Sequence, residues 1–496
     1  MSIIHKQFFS VLPGCKTALG IAFLAALLFG CAVGPNYEAP PVSTPVQWNS
    51  GMSGGETNAP VDLGQWWKNF NDTNLDSFIA TAIQSNLTLR IAEAHVREAR
   101  AQKGIVSASL WPWLGGSGSY SKNRYSAHAY PPLAGFGISP AYSLYDANLD
   151  ATWELDVFGG TRRAVESASA QIGAAEYDQT NVLISVLAEV ARDYISARAY
   201  QQRLIIVQEN IQDQQQVVDL TSNLYESGLG NDLAVEQAQA TLSSTEAEVP
   251  TLQTGFDQSV YSLSILLGQE PEALAGEMAA IKDIPLTPPV VPVGLPSDLL
   301  QRRPDVQKAE RQLAAATAQI GVARADLFPK FSLTGLAGFQ STSGNNWFDY
   351  VNRYWEAGPT VQWEIFQAGS IVANIHVQNA RQEEALDQYQ QTVLVALEEV
   401  ENALTAYARE QVRRESLKRS VAANQEAFDL ARQLYKSGLA DFLNVLNSET
   451  SLYQSQDDLV QSDQTVSLDL VQLYKALGGG WENENDLSLQ QGGKKL

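Results

Sequence analysis

Two stretches of the chain carry apolar residues at helical spacing over an unusual length. The first, from Thr161 to Leu229, has no proline and one glycine, Gly173, before its final turn, and it predicts a single helix of about 65 residues. Such a helix would be roughly 100 Å long, at about 1.5 Å per residue. Its apolar residues follow coiled-coil-like spacing, and Gln, Asn, Asp and Glu fill the positions between them. This pattern favours the wall of a water-filled tube; a solid antiparallel coiled coil, the alternative, would need one stricter apolar stripe.

The same pattern occurs twice along the chain, offset by 210 residues. The segment LYESGLGNDLAV at 224–235 aligns with LYKSGLADFLNV at 434–445, and Trp153 aligns with Trp363. Self-similarity at a fixed offset indicates a duplicated structural unit. We therefore predict an internal tandem duplication, with a first repeat over 63–283, a Pro-rich linker over 284–296 and a second repeat over 297–478, the repeats ending in long helical hairpins over 161–267 and 370–477.

Each repeat also contains a segment in which apolar and polar residues alternate. The segment NLDATWELDVFGG places Trp153 and its apolar neighbours on one face and its charged residues on the other, and the pattern predicts β-hairpins near 113–157 and 331–366. A transmembrane barrel strand needs this alternation, with lipid outside and water inside, although a soluble sheet would have it too. Two hairpins cannot close a sheet, and in lipid each unpaired backbone group costs on the order of several kcal/mol. We therefore expect the chain to oligomerise.

The N-terminus has the pattern of an export signal. Residues 1–30 contain Lys6 and Lys16 followed by an apolar run, which predicts a signal peptide. The sequence LFGC that ends at Cys31 resembles a bacterial lipobox, so we expect a covalent lipid on Cys31; an ordinary signal that leaves Cys31 as a free thiol is the alternative. Residues 31–62, rich in Pro, Gly, Ser and Asn, predict an extended tether, and 479–496 predict a flexible C-terminal tail.

Both predicted long helices end in the same turn. The turns consist of Ser227, Gly228 and Leu229 in the first repeat and of Ser437, Gly438 and Leu439 in the second. Glycine commonly ends a helix in the left-handed conformation. Asp232 and Asp441 then open the next helices, where a carboxylate can cap free amides.

Charge and composition exclude several classes of function. The chain has 55 Asp and Glu against 33 Lys and Arg, a net charge of −22, which disfavours nucleic acid as a partner. None of the histidines outside the signal peptide, His95, His128 and His376, has metal-ligand spacing. The sequence has no catalytic constellation and no phosphate-binding glycine loop. It therefore predicts neither an enzyme nor a metal site, and no cofactor other than the lipid on Cys31.

Several segments together resemble a known family. CAVGPNYEAP begins at Cys31, LPSDLLQRRPDV covers 295–306, and GVARADLFPKFSLTG covers 321–335. With the paired SGL turns, these segments resemble the outer-membrane factors, TolC-like channels, in their NodT-type lipoprotein branch. The resemblance spans essentially the whole mature chain. It implies an α+β membrane protein, a homotrimer in which four strands per chain close a twelve-stranded outer-membrane β-barrel that continues into a long periplasmic α-helical barrel.

The resemblance also implies a function. A channel of this family sits in the outer membrane of a Gram-negative cell and passively conducts small toxic compounds or drugs from an inner-membrane pump and a periplasmic adaptor. The SGL turns would dock the adaptor, and Asp441, with Asp232 as a second candidate, would narrow the periplasmic entrance. The alternatives are the duct of a type I protein secretion system and, in a different class, a periplasmic coiled-coil scaffold or adaptor lipoprotein.

Overall fold

The structure, a computed structural model, describes residues 32–41, 44–49, 56–57, 63–126, 141–285 and 291–481. The predicted signal peptide, Cys31 and most of the predicted C-terminal tail lie outside these residues. The described residues form two compact units. The first unit consists of the chain up to Pro40, Arg97–Ala174 and Glu310–Gln388, and the second of Pro41–Val96, Ala175–Ala309 and the chain from Tyr389 onward.

The first unit contains a four-stranded antiparallel sheet. Its strands, in sheet order, are β2 (Trp113–Arg124), β3 (Ala141–Leu155), β5 (Lys330–Ser341) and β6 (Arg353–Gln362). The two repeats meet at its centre, where β3 pairs with β5 from Tyr145 opposite Ser341 to Leu155 opposite Phe331. The outer edges of β2 and β6 have no partner among the strands that the structure describes.

The duplication is visible where each hairpin meets its helices. The indole of Trp153 donates to the carbonyl of Leu110 at 3.0 Å, and that of Trp363 donates to the carbonyl of Leu327 at 3.1 Å. Trp363 lies just after the end of β6, because the chain leaves the sheet at Gln362. Gly369 then takes a φ of 84° before the next helix, in the left-handed region that glycine tolerates.

Two helices of 67 residues each follow the hairpins: α3 (Gly160–Glu226) and α9 (Ser370–Lys436). The carboxylate of Asp156 accepts the backbone N–H groups of Thr161 and Arg162 at 3.0 and 2.8 Å, which satisfies donors that a helix start leaves unpaired. Each helix is uninterrupted, as the absence of proline predicts. None of the helices in the described part of the chain is both long enough and apolar enough to cross a membrane.

The return helices differ between the repeats. In the second repeat one helix, α10 (Phe442–Ala476), runs for 35 residues. In the first, α4 (Asp232–Glu246) and α5 (Glu248–Leu266) are separated at Ala247. Pro250 explains the break, because it lacks the N–H that would bond back to the carbonyl of Glu246. The equivalent position in the second repeat is Val460.

The other α-helices are shorter, and the described residues also form four short 3₁₀ helices and one small parallel strand pair. The α-helices are α1 (Thr73–Ser85), α2 (Leu87–Ala108), α6 (Ala275–Met278), α7 (Leu299–Arg302) and α8 (Pro304–Ala325), and the strand pair is β1 (Glu56–Thr57) with β4 (Val291–Pro292).

Asp72 starts α1, and its Oδ1 accepts the N–H groups of Asn74 and Leu75 at 2.8 and 3.2 Å. The other oxygen accepts the hydroxyl of the fully buried Tyr194 at 2.7 Å. One carboxylate thus joins α1 to α3 within the main core of the second unit.

Asp72→Ala should lower the free energy of unfolding by about 2–4 kcal/mol, because it removes a helix cap and leaves the buried Tyr194 hydroxyl without an acceptor. Tyr194→Phe should cost only about 1 kcal/mol, since Asp72 keeps its bonds to α1. Chemical unfolding of the two variants in detergent measures both values. Equal losses would contradict a dual role for Asp72.

Candidate channel wall and helical tips

The sheet has two chemically different faces. Strand pairing brings Leu149, Ala337 and Trp355 side by side on one face. The rest of that face is largely apolar along β3, β5 and β6. The carboxylates of the sheet lie on the opposite face, with Ser, Thr, Asn and Gln; they are Asp146, Asp150, Glu154 and Glu356. One lipid-compatible face and one wet face is the arrangement of a transmembrane barrel strand.

The carboxylates on the polar face differ in their surroundings. Asp146 is nearly buried, and its oxygens accept the Tyr354 hydroxyl at 2.8 Å and the amide groups of Gln340 and Asn148 at 3.0 and 2.6 Å. Asp150 and Glu356 instead stand on either side of Leu336 in the strand register. Asp146 therefore fastens three strands together, whereas the other two leave negative charge on the wet face, which favours cations.

The chain that follows the predicted lipid site is clamped to the first unit. Val33 donates its N–H to the carbonyl of Phe158 at 3.0 Å. The almost fully buried guanidinium of Arg163 donates to the carbonyls of Val33 and Gly34 at 3.2 and 3.3 Å and to Asn36 at 2.7 Å. The chain therefore enters the described structure beside the junction of β3 with α3.

The two SGL turns adopt the same conformation. Gly228 and Gly438 have φ values of 72° and 71°, which L residues with a side chain rarely adopt. The N–H groups of Leu229 and Leu439 close the turns by donating to carbonyls five residues earlier, at 2.9 Å in both. The hydroxyls of Ser227 and Ser437 donate back to their own helices, at 2.8 and 3.0 Å.

Each turn exposes a leucine to solvent. Their side chains are 80% exposed at Leu229 and 76% exposed at Leu439. Contiguous exposed apolar surface marks interaction sites, and Leu233 and Leu443, four residues after these leucines, are exposed as well.

The expectation that both Asp232 and Asp441 cap helices is wrong. Asn231 caps α4, since its side chain accepts the N–H of Ala234 at 2.8 Å, and Asp232 is the first residue of the helix. Asp441 does occupy the capping position of α10, but its side chain makes no capping bond, and its backbone carbonyl accepts the N–H of Asn444 instead. Both carboxylates are exposed. Burial and, after it, the charge of Asp441 raise the pKa of Tyr435.

One buried carboxylate near the tips was missed by the sequence reasoning. Glu449 of α10 is 3% exposed and lies on the same helix face as Val445 and Leu452, which belong to a buried apolar cluster with Phe428. Burial first, and then the charge of Asp213, raise the pKa of Glu449 to about 7. Its Oε1 has no hydrogen-bond partner among the described residues. The signal was present in the spacing, because Glu449 follows Val445 by four residues and precedes Leu452 by three.

No cluster of three or more His, Cys, Asp or Glu side chains in the described ranges could hold a metal ion.

Comparison with known proteins gives consistent matches. The sequence profile of the outer membrane efflux protein family matches residues 78–269 and 295–479. The chain is 32% identical over 482 residues to the antibiotic efflux pump outer membrane protein ArpC of Pseudomonas putida, covering 96% of this chain and 98% of that protein. It is 33% identical over 466 residues to nodulation protein T of Rhizobium leguminosarum bv. trifolii, covering 92% and 96%.

A solved structure is also similar. The outer-membrane channel OprN superposes with a TM-score of 0.83 and 35% identity, covering 91% of this chain and all of that one. This likeness confirms the predicted α+β fold class, an outer-membrane channel built from long helices and four strands per chain.

Glu449→Gln should abolish a pH dependence of stability at the tips. A carboxyl whose pKa is raised by folding binds its proton more tightly in the folded state, so the contribution of Glu449 to wild-type stability should be present below about pH 4.5 and be lost between about pH 4.5 and 7. At pH 8 the glutamine variant should be more stable by about 1–3 kcal/mol. Hydrogen exchange of tip amides, corrected for intrinsic rates, measures this.

The matched control for Glu449→Gln is Glu426→Gln, which neutralises an exposed carboxylate of α9. It should leave tip exchange unchanged at both pH values. Identical protection of wild type and Glu449→Gln at pH 8 would refute the effect.

Proposed function

This chain belongs to the outer membrane efflux protein family, and from that premise we propose that three copies close one duct that passes small toxic compounds out of the cell. Its place as an outer-membrane efflux channel follows from the family and from relatives along nearly its whole length. The number of copies, the partners and the cargo are the proposed part. The single observation that carries the proposal is the open, two-faced sheet.

Closure by three copies is supported by the two free edges of the sheet. Large apolar side chains are exposed along both edges, with Leu114 on β2 and with Trp355 and Val361 on β6. In lipid, an open edge leaves backbone groups unpaired at several kcal/mol each. Three sheets joined from β6 to β2 give about twelve strands, within the size range of known barrels. The polar face, with its carboxylates, then lines the lumen.

The tips are proposed to dock a periplasmic adaptor that links the channel to an inner-membrane pump. Leu229 and Leu439 supply the exposed apolar contacts, and the left-handed glycines before them hold both turns in the same shape. A pair of equivalent tips per chain offers a partner repeated contacts around the trimer axis.

Asp441 is proposed to narrow the periplasmic entrance. Its carboxylate is exposed and is not engaged as a helix cap. Three such groups around one axis would repel one another and attract cations. Asp232 is the second candidate, since it is also exposed, in the first turn of α4.

A covalent lipid on Cys31 is proposed to hold the chain at the membrane. The clamp of Arg163 on residues 33–36 supports it, since it fixes the start of the mature chain beside the sheet. The proposed cargo is a toxic small molecule, by analogy with the antibiotic efflux protein of Pseudomonas putida. In this proposal the channel leaves its cargo chemically unchanged.

Asp441→Asn should reduce the preference for cations in planar bilayers, because it removes the proposed ring of negative charge. Asp429→Asn, which neutralises an exposed carboxylate on α9, is the control and should conduct like wild type. If Asp441→Asn also conducts like wild type, Asp441 is not the narrowing residue.

Leu229→Asp combined with Leu439→Asp should make cells as susceptible to toxic compounds as deletion of the gene, because charges replace the apolar contacts of the adaptor surface. The purified variant should still be a trimer in detergent. Full resistance in the double variant would count against docking at the tips. A deletion strain with unchanged susceptibility to all small compounds, but with a lost secreted protein, would favour protein export.

A further inference from the structure

The basic residues of the edge strands are segregated from the carboxylates. Lys122 and Arg124 of β2 lie opposite Ser143 and Ala141, and Arg353 of β6 lies opposite Phe339. These pairings put all three on the apolar face, at the end of the sheet away from the helices. The described strands place no carboxylate on this face. We call these three residues the basic rim.

The basic rim stands at the height of lipid headgroups. Arg353 lies eight residues before Val361 on β6, about 27 Å along the strand at about 3.4 Å per residue. With a strand tilt of about 40°, this is roughly 20 Å along the membrane normal, close to the height of the apolar band of a barrel. Aromatic rings adjoin the rim: Tyr120 lies two residues inward of Lys122, with its ring 4.8 Å from that of Tyr145 between centroids, and Trp355 lies two residues inward of Arg353. The rim therefore marks the outer boundary of the apolar band.

No acidic side chain in the described part of the chain forms an ion pair with these three residues, and all three are exposed. The guanidinium of Arg353 stacks on the ring of Tyr350 at 3.4 Å from its centroid, which leaves its N–H edge open to a ligand. Cations that face lipid without a counter-charge are unfavourable. An anionic ligand from outside the chain would therefore stabilise the basic rim.

The three residues come together only between copies. β2 and β6 form opposite edges of the sheet in one chain. In the closed barrel, on which this inference rests, β6 of one copy lies beside β2 of the next, so Arg353 reaches the outer end of the same seam as Lys122 and Arg124.

We propose that each seam binds the phosphate groups of an outer-leaflet glycolipid, which then bridges two copies of the channel. Arginine binds phosphate oxygens in a bidentate manner, and lysine adds a point charge. A lipid fits this surface better than free phosphate, because its acyl chains can pack on the aromatic rings and apolar residues directly below the charges. The phosphates supply the counter-charge that the chain lacks.

The test is native mass spectrometry of the detergent-purified, full-length trimer with added diphosphorylated lipid A. We expect about three bound molecules per trimer, one for each seam. Lipid A from which the phosphates have been removed should bind far more weakly, and inorganic phosphate should not compete at equal concentration. Arg353→Gln should weaken binding about tenfold, and the triple variant Lys122→Gln, Arg124→Gln, Arg353→Gln should abolish it.

The control removes equal charge elsewhere, with Arg413→Gln, Lys418→Gln and Arg419→Gln on α9, and it should bind as wild type does. Equal binding by wild type and the triple variant, or equal binding of phosphorylated and dephosphorylated lipid, overturns the basic rim as a phosphate site while leaving the trimer intact. Competition by inorganic phosphate would identify a free-anion site and overturn the lipid assignment. A purified protein that is monomeric overturns both proposals, because no seam would exist.

Discussion

The structure depends on one constraint: a backbone inside a membrane must pair all its hydrogen-bonding groups. The chain supplies a four-stranded sheet whose inner pairings are complete and whose two outer edges are open. No rearrangement within four strands can close such a sheet, so the edges must meet the edges of other copies. When the edges of neighbouring copies pair, they form a seam and close a channel. The face that carries the carboxylates then lines the water-filled lumen.

The long helices are subject to a different constraint: much of their surface is exposed to water, so it must be polar. Their contacts therefore mix apolar clusters with polar links between helices, such as Arg203 with Asp457 at 2.6 Å and Asn210 with Gln456 at 3.2 Å. The Arg203–Asp457 pair is largely buried and bidentate, a geometry that fixes the position of α3 against α10. Glu449 is the exception, as a carboxylate buried in the apolar cluster near the tips whose charge opposes packing. Such a group makes the packing of the tips sensitive to protons, and the tips are the part proposed to engage partners.

The two repeats share the hairpin, the long helix and the turn that follows it, but their return helices differ. Both have a hairpin anchored by a tryptophan indole, a helix of 67 residues and an SGL turn. They diverge after the turn, where Asn231 caps the first return helix and Asp441 leaves its carboxylate unused in the second. Pro250 breaks the first return helix, whereas the second is continuous. The duplicated elements thus share one frame and differ in how their return helices begin and whether they continue unbroken.

Periodicity in the sequence determined the long helices, the alternating strands and the need for closure, because spacing of 3.6 or 2 residues is a local property of the chain. The family followed from motifs that are equally local. Only the tertiary structure decided which asparagine or aspartate caps a helix, since this depends on where the turn places each side chain: Asn231 took the role expected of Asp232. It also decided that Glu449 is buried and that Lys122, Arg124 and Arg353 share a face, because both depend on which strands and helices become neighbours. Contacts between residues distant in sequence are set by packing, and a single sequence carries no direct record of them.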